Sequence, residues 1–271
     1  MESIAEGFRD ADRGRLFDDL VTCLDFLNDL DFFRDYKEAT WQRLQIGDGS
    51  QVLDVACGIG YDVIGMAARY PKAKITGIDA SDGFLEIARA RARARGLDNV
   101  SFLKGDGTEL PAPDDAFDAV RIDRSLQHMA DPESVLKEMV RVTSSGGRIV
   151  AAEPDWGTYL LDNGEREVTA LLTQEWINSF RQPFIGRRLP RMLVEHGVRD
   201  VMTRAHALAL SKYQPAAVVF DLDRFVNVCV EQGIITREQA RQWTSDSIEC
   251  SRAGGFFASL CIIEAGGIVN K

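Results

Sequence analysis

This chain of 271 residues carries only three histidines and five cysteines. The cysteines (Cys23, Cys57, Cys229, Cys250 and Cys261) are odd in number, and no two stand at C-x-x-C spacing. A closed disulfide framework and a cysteine-rich zinc site are therefore excluded, and the scattered histidines suggest no metal site of their own. Reduced thiols in the cytoplasm are the expectation. Basic residues are also in deficit: 32 Lys and Arg against 42 Asp and Glu leave a net charge of −10. Nucleic acids and anionic membranes are normally met by a basic face, so neither is an expected partner. No apolar run approaches the roughly 20 residues of a membrane span. The first residues are acidic, where a signal peptide would be basic and then apolar. Low-complexity linkers and internal repeats are absent too.

The composition that remains, 45% hydrophobic and 27% charged, is that of a soluble globular protein. The length would suit about two average domains or one large α/β domain. Without a linker, one domain spanning 1–271 is the simpler reading.

Residues 3–46 place Leu16, Leu20, Leu24, Leu27, Phe33 and Tyr36 at helical spacing, which predicts two or three amphipathic helices. The short apolar run 51–56 then reads as a buried parallel strand. A glycine loop follows, and a helix from about 61 to 70 that Pro71 ends. Further strands are expected over 74–79, 99–104, 118–122 and 148–152. Helices lie between them, one capped by Ser81 or Asp82 and closed by Gly96, another over 132–142. This alternation predicts a mostly parallel sheet with right-handed crossovers. Beyond it, helices are expected over 165–180, 187–196, 216–232 and 236–251, with a strand within 198–210 and a last one over 256–264. The reading is an α/β, Rossmann-like sheet under a helical cap. Residues 1–46 form an N-terminal cap segment, 50–153 the cofactor-binding core, 154–252 the substrate-side helices and sheet completion, and 256–264 the final strand.

In a doubly wound sheet, ligands bind at the carboxyl ends of the strands. Four segments put polar or glycine residues there. The first is Asp54-Val55-Ala56-Cys57-Gly58-Ile59-Gly60, whose glycines allow a close backbone approach. A dinucleotide fingerprint would want a third glycine where Val63 stands, and Asp54 would repel a pyrophosphate. Asp54 suits a cationic amine instead. The second is Asp79, 19 residues after Gly60, able to accept both hydroxyls of a ribose. The third, Gly105-Asp106-Gly107, can meet the edge of an adenine. The fourth joins Asp123-Arg124-Ser125-Leu126-Gln127-His128 with Glu153-Pro154-Asp155-Trp156.

Together these segments resemble the class I S-adenosylmethionine-dependent methyltransferases, in particular the small-molecule branch of ubiquinone and menaquinone biosynthesis. The resemblance covers roughly residues 50–153. It implies a seven-stranded sheet with one antiparallel strand, and S-adenosylmethionine as cofactor. By that resemblance Ala56, Gly58 and Gly60 pack on the methionine part, with Asp54 near its amine. Asp79 holds the ribose, Ala80 lies beside the adenine, Asp106 and Gly107 bind the adenine edge, and Asp123 lies near the methionine end. Tyr36 belongs to a helix that often closes over the cofactor in relatives. The pair Asp123-Arg124 departs from the family, which often has an apolar or small residue there.

Methyl transfer needs a base only when the acceptor must lose a proton. His128 and Glu153 are the candidates. For His128, a substrate or cofactor contact and a structural hydrogen bond stand beside the catalytic role. Trp156, Trp176, Phe180 and Phe184 follow the fifth strand and could line an apolar or aromatic acceptor pocket. At helical spacing the aromatics before residue 41 are more often core. Arg89, Arg91, Arg93 and Arg95 fit a solvated helix better than a nucleic-acid surface. The expected function is methylation of oxygen, nitrogen or carbon on a small organic molecule. The alternative is a protein of the same fold that binds the cofactor yet catalyses a cyclisation or rearrangement, or only binds a ligand. A nucleic-acid methyltransferase is disfavoured, because Asp123-Arg124-Ser125-Leu126 replaces the Asn/Asp-Pro-Pro-aromatic motif of base-amine enzymes. A homo-oligomer is left open.

Overall fold

A computed structural model describes residues 3–12 and 15–271. Residues 1, 2, 13 and 14 of the expected N-terminal cap lie outside them. Three helices open the chain, α1 (Ile4–Gly7), α2 (Phe17–Asp29) and α3 (Asp31–Arg43). The alternating part follows: β1 (Gln51–Val55), α4 (Tyr61–Arg69), β2 (Lys74–Asp79), α5 (Asp82–Ala94), β3 (Val100–Lys104) and β4 (Phe117–Asp123). A short 3-10 turn (Leu126–His128) leads to α6 (Pro132–Val142) and the long β5 (Thr143–Leu161). Then come α7 (Arg166–Asn178), α8 (Ile185–Glu195), β6 (Val198–Leu210), α9 (Tyr213–Val219), α10 (Leu222–Glu231), α11 (Arg237–Arg252) and β7 (Ala258–Val269).

The seven strands form one sheet in the order β3-β2-β1-β4-β5-β7-β6. The first five run parallel to one another, and β7 is antiparallel to both β5 and β6. Central strands bury both faces. Leu53, Val120 and Ile149 pack toward α6 and α8, while their neighbours Val52, Ala119 and Val150 pack on the opposite side, where α4 and α5 lie. This explains why the strands read as continuous apolar runs. A third apolar cluster joins α2 and α3 to α7, α9, α10 and α11 and forms the cap.

Local signals act where expected. The Ser81 hydroxyl accepts from Phe84 N at 3.0 Å and starts α5, and Gly96 adopts φ +65° just past its end. Asp131 accepts from Ser134 N at 3.1 Å ahead of Pro132 and starts α6. Two expectations are corrected. The helix expected over 216–232 is two helices, because Asp221 takes a left-handed conformation (φ +48°) between them. Its carboxylate accepts from Ile4 N at 3.1 Å, which fixes the break to the N-terminal segment. The last strand also continues past residue 264, through Gly266 and Gly267, to Val269. Neighbouring strands crowd these glycines: a Cβ on Gly267 would lie 2.4 Å from the Arg199 carbonyl oxygen, and one on Gly266 2.7 Å from that of Ile149. Here glycine marks close strand approach, not a strand end.

Candidate functional site

A cavity of about 480 Å3 opens along the carboxyl ends of β3, β2, β1 and β4. Its walls include Asp106 and Gly107 after β3, Asp79 and Ala80 after β2, and Ala56, Cys57 and Gly58 after β1. Asp123, Arg124 and His128 lie at its β4 end. Residues 8–12 of the N-terminal segment and Arg181 after α7 complete it. Gly60, although in the loop, is not among the wall residues. It takes φ +83° at the start of α4, and a Cβ there would come within 2.8 Å of Ala88. Its role is to let α4 pack against α5.

The glycine loop is held by the carboxylate expected to meet the ribose. Asp79 Oδ2 accepts from Gly58 N at 2.7 Å, and Oδ1 accepts from Ser81 N at 2.9 Å. Burial raises the Asp79 carboxyl above its ordinary value, with the two amides pulling the other way. Ala56 adopts φ +54°, an uncommon left-handed state for a residue with a Cβ. Asp106 accepts from the backbone and hydroxyl of Thr108, each at 2.8 Å, and so fixes its own turn at the cavity wall.

Beneath the loop lies a charge network that sequence reading missed apart from Asp54 and Asp123. Asp54 and Arg121 are direct neighbours on β1 and β4, and Arg121 Nη1 donates to Asp54 Oδ1 at 2.9 Å. The same nitrogen is 3.0 Å from Asp62 Oδ1, and Nη2 is 3.8 Å from Asp123 Oδ2. Lys37 Nζ pairs with Asp62 and stands 3.6 Å from Asp123, while Trp41 Nε1 donates to Asp62 at 2.9 Å. Burial works against the charge on Arg121, but Asp62, Asp54 and Asp123 outweigh it and raise its proton affinity. For Asp62 burial is likewise overcome, by Arg121 and Lys37, and its carboxyl is held well down. Asp54 is pushed upward by burial against the pull of Arg121. An arginine inside the apolar run Ala119-Val120-Arg121-Ile122 was the available signal, since a buried charge must be paired. Asp54 thus already has a cationic partner within the protein.

The structure corrects two site residues. Glu153 is fully buried and is not among the residues lining the cavity. Its Oε1 accepts from Ser125 N and Leu126 N, both at 2.7 Å, and Oε2 from Gln127 N at 3.3 Å. Burial pushes its carboxyl up to about 8, and these amides oppose the shift. It anchors the turn after β4. Tyr36 also lies behind the wall: its hydroxyl donates to Asp123 Oδ1 at 2.9 Å and Oδ2 at 3.1 Å. It positions Asp123 and does not close over the cavity.

His128 does face the cavity, between the rings of Phe8 (5.2 Å) and Phe180 (5.6 Å). Burial lowers its affinity for a proton to a pKa of about 3, with Arg9, Arg124 and Arg181 adding repulsion. It is neutral at physiological pH and holds a proton weakly. Phe180 stacks on Trp156 at 4.3 Å, and Trp156 Nε1 donates to Gln127 Oε1 at 2.8 Å. Trp156 and Trp176 are buried in the cap core, whereas Phe184 is exposed. Nothing in the sequence marked residues 8–12 or Arg181 as site residues. Among the described residues, no group of three or more His, Cys, Asp or Glu could hold a metal ion. No helix among them is long and apolar enough to cross a membrane.

The family profile described as "Methyltransferase domain" matches residues 46–197, more than half of the chain. An uncharacterized 37.1 kDa protein in transposon TN4556 of Streptomyces fradiae is 33% identical over 255 residues, covering 92% of this chain and 72% of that protein. A demethylmenaquinone methyltransferase of Geobacillus stearothermophilus is 36% identical over 143 residues, covering 51% of this chain and 61% of its own length. Among solved structures, the Haemonchus contortus phosphoethanolamine N-methyltransferase 2 bound to phosphomonomethylethanolamine and S-adenosylhomocysteine superposes with a TM-score of 0.63. It shares 15% identity and covers 97% of this chain and 60% of that one, a likeness of fold. S-adenosylmethionine fits the donor set at the strand ends. The loop over 56–60 brings the small Ala56 and Gly58 to the cavity, a carboxylate stands at the end of β2, and a backbone turn follows β3. The chain belongs to the methyltransferase-domain family, as a class I S-adenosylmethionine-dependent methyltransferase with a seven-stranded, mostly parallel sheet.

Proposed function

We propose that this chain methylates a small, partly apolar organic molecule in the cytoplasm, with no nucleic-acid or membrane partner. One observation carries the reading: a single cavity runs from the adenine-side turn at Asp106 and Gly107 to the aromatic walls around His128. When bound, S-adenosylmethionine supplies an activated methyl group on a sulfonium with a neutral leaving group. In this reading Asp79 accepts from the ribose hydroxyls, Ala80 lies beside the adenine, and Asp106 with the Gly107 amide takes its edge. Ala56 and Gly58 let the backbone lie against the methionine part, while Asp54 and Asp123 face its amine. Phe8 and residues 9–12 roof the cavity and exclude water, and the cap aromatics orient the acceptor. Orientation of this kind can supply much of a methyl-transfer rate without a strong base. That agrees with a neutral His128 of low proton affinity, which serves as a hydrogen-bonding group toward the acceptor. The family match and the methyltransferase-named relatives support transfer over a cyclisation or rearrangement.

Calorimetry with S-adenosylhomocysteine tests the cofactor half. Tight binding is expected, weakened tenfold or more by Asp79→Ala, since a charge-assisted bond contributes about 1.5–3 kcal/mol. Unchanged affinity in that variant would remove the ribose assignment, and no binding by the native chain would remove the whole reading.

A further inference from the structure

The charges around the cavity are unevenly committed. At its β1–β3 side every carboxylate named above has protein partners. Asp12 is also occupied, by the Ser81 hydroxyl and by the amides of Asp82 at 2.8 Å and Gly83 at 3.3 Å. Asp123 is taken by Tyr36 and Lys37, and Asp10 has a partner as well.

The β4 side differs, because there the unspent groups are cationic or neutral nitrogens. Arg181 is exposed and makes no hydrogen bond or ion pair among the described residues. Arg9 is exposed too, and its guanidinium reaches only the carbonyl of Ser179, which brings it beside Arg181. Arg124 lies over the Phe33 ring at 4.8 Å, and its buried Nε stands 3.5 Å from Asp123 Oδ2 without a hydrogen bond. His128 Nδ1 is buried and unpartnered as well. A neutral imidazole has one N–H donor and one acceptor nitrogen, so it can meet a donor on a ligand. Buried polar atoms are rarely left without partners in a native protein, so these two, with Arg121 Nε and Nη2 on the floor, point to a polar ligand in the cavity. The wall beside them is apolar, made by Phe8 and by Phe180 stacked on Trp156.

Resting on the methyl-transfer reading, we infer that the acceptor carries an anionic group, a carboxylate, phosphate or sulfate, held between Arg9 and Arg181. Its apolar or aromatic body lies along Phe8 and Phe180, and a hydroxyl or amine N–H of the acceptor donates to His128 Nδ1. Guanidinium forks match such oxyanions in charge and geometry. An anion beside His128 also offsets the repulsion of the three arginines and raises the proton affinity of the ring. The chain's net charge of −10 gives no general attraction for anions, so the selection is local.

The test is calorimetric titration of the full chain with benzoate and phenyl phosphate, against benzamide and phenol as neutral counterparts. Each probe is run with and without saturating S-adenosylhomocysteine. At least one anionic probe should bind tenfold more tightly than its neutral counterpart, and less tightly as salt rises. Arg9→Gln and Arg181→Gln should each weaken that probe at least threefold, and together at least tenfold. Both variants should leave the affinity for S-adenosylhomocysteine within twofold. Equal binding of neutral and anionic probes, or anion binding unmoved in the double variant, overturns the inference. So does a double variant that loses S-adenosylhomocysteine instead, because the arginines would then serve the cofactor's own carboxylate. A native chain that binds the anionic probe but no S-adenosylhomocysteine removes the methyl-transfer reading and leaves the anion site standing.

Discussion

The floor of the cavity and its β4 rim both hold several charges, yet they use them in opposite ways. On the floor, Asp54, Asp62 and Asp123 face Arg121, Lys37 and Trp41, and each carboxylate has a cationic partner, although Arg121 Nε and Nη2 make no hydrogen bond. On the rim, Arg181 makes no hydrogen bond or ion pair among the described residues, and Arg124 Nε and His128 Nδ1 make no hydrogen bond. A closed network holds strands and helices in register. An open set is free to recognise something else. Bond accounting separates these two sets where residue identity does not.

The largest effect should come from opening the closed network. Arg121→Met leaves buried carboxylates without their central cation and should destabilise the fold by about 3–5 kcal/mol, measured by urea unfolding. A loss below 1 kcal/mol would mean that the floor is not the closed unit described. Next comes Glu153→Gln, which weakens the anchor for three amides and should lower stability by about 1.5–3 kcal/mol. The methylation pH profile of the folded variant should be unchanged. Loss of turnover at full stability would return Glu153 to a catalytic role. Tyr36→Phe removes one buried hydroxyl from Asp123 and should cost about 1 kcal/mol, with S-adenosylhomocysteine affinity within threefold. A large loss of affinity would put Tyr36 in the cofactor site after all.

The last effect is one of slope. His128 binds its proton at about 3 in the folded chain, against an ordinary 6.5, so the unfolded state takes up more protons between those values. Stability conferred by the neutral ring is complete above about 6.5 and is lost as pH falls toward 3. His128→Gln should flatten the acid limb of the stability curve by at most one proton. A curve identical to that of the native chain would show that the ring is not held neutral.

How much of this was legible in the sequence follows the same divide. Strand-end residues such as Asp79 and Asp106 sit at fixed places in a repeating strand–helix pattern, so the five parallel strands could be read, and with them the strand ends that line the cavity. The rim is assembled from residues 8–12, 124–128 and 181, which are distant in sequence and share no periodicity. Glu153 looked catalytic because it ends a strand; only the three amides pointing at it reveal an anchor. Arg121 was visible as an anomaly in an apolar run, but its partner Asp62 and the Lys37 that shares that carboxylate come from two different helices. Asp221 broke a helix that periodicity ran straight through, because its partner Ile4 lies 217 residues away.

The place of β7 has a consequence for how the molecule is made. This strand follows every other described element in the chain, yet it lies between β5 and β6 in the sheet. During synthesis β6 therefore emerges with no strand to pair with, and waits while α9, α10 and α11 are translated. At about 5–20 residues per second, the sixty residues or so from the start of β6 to the start of β7 take several seconds. For that interval the nascent chain exposes the open edges of both β5 and β6, the kind of surface that chaperones cover. A premature stop before β7 would cost the sheet two strands at once.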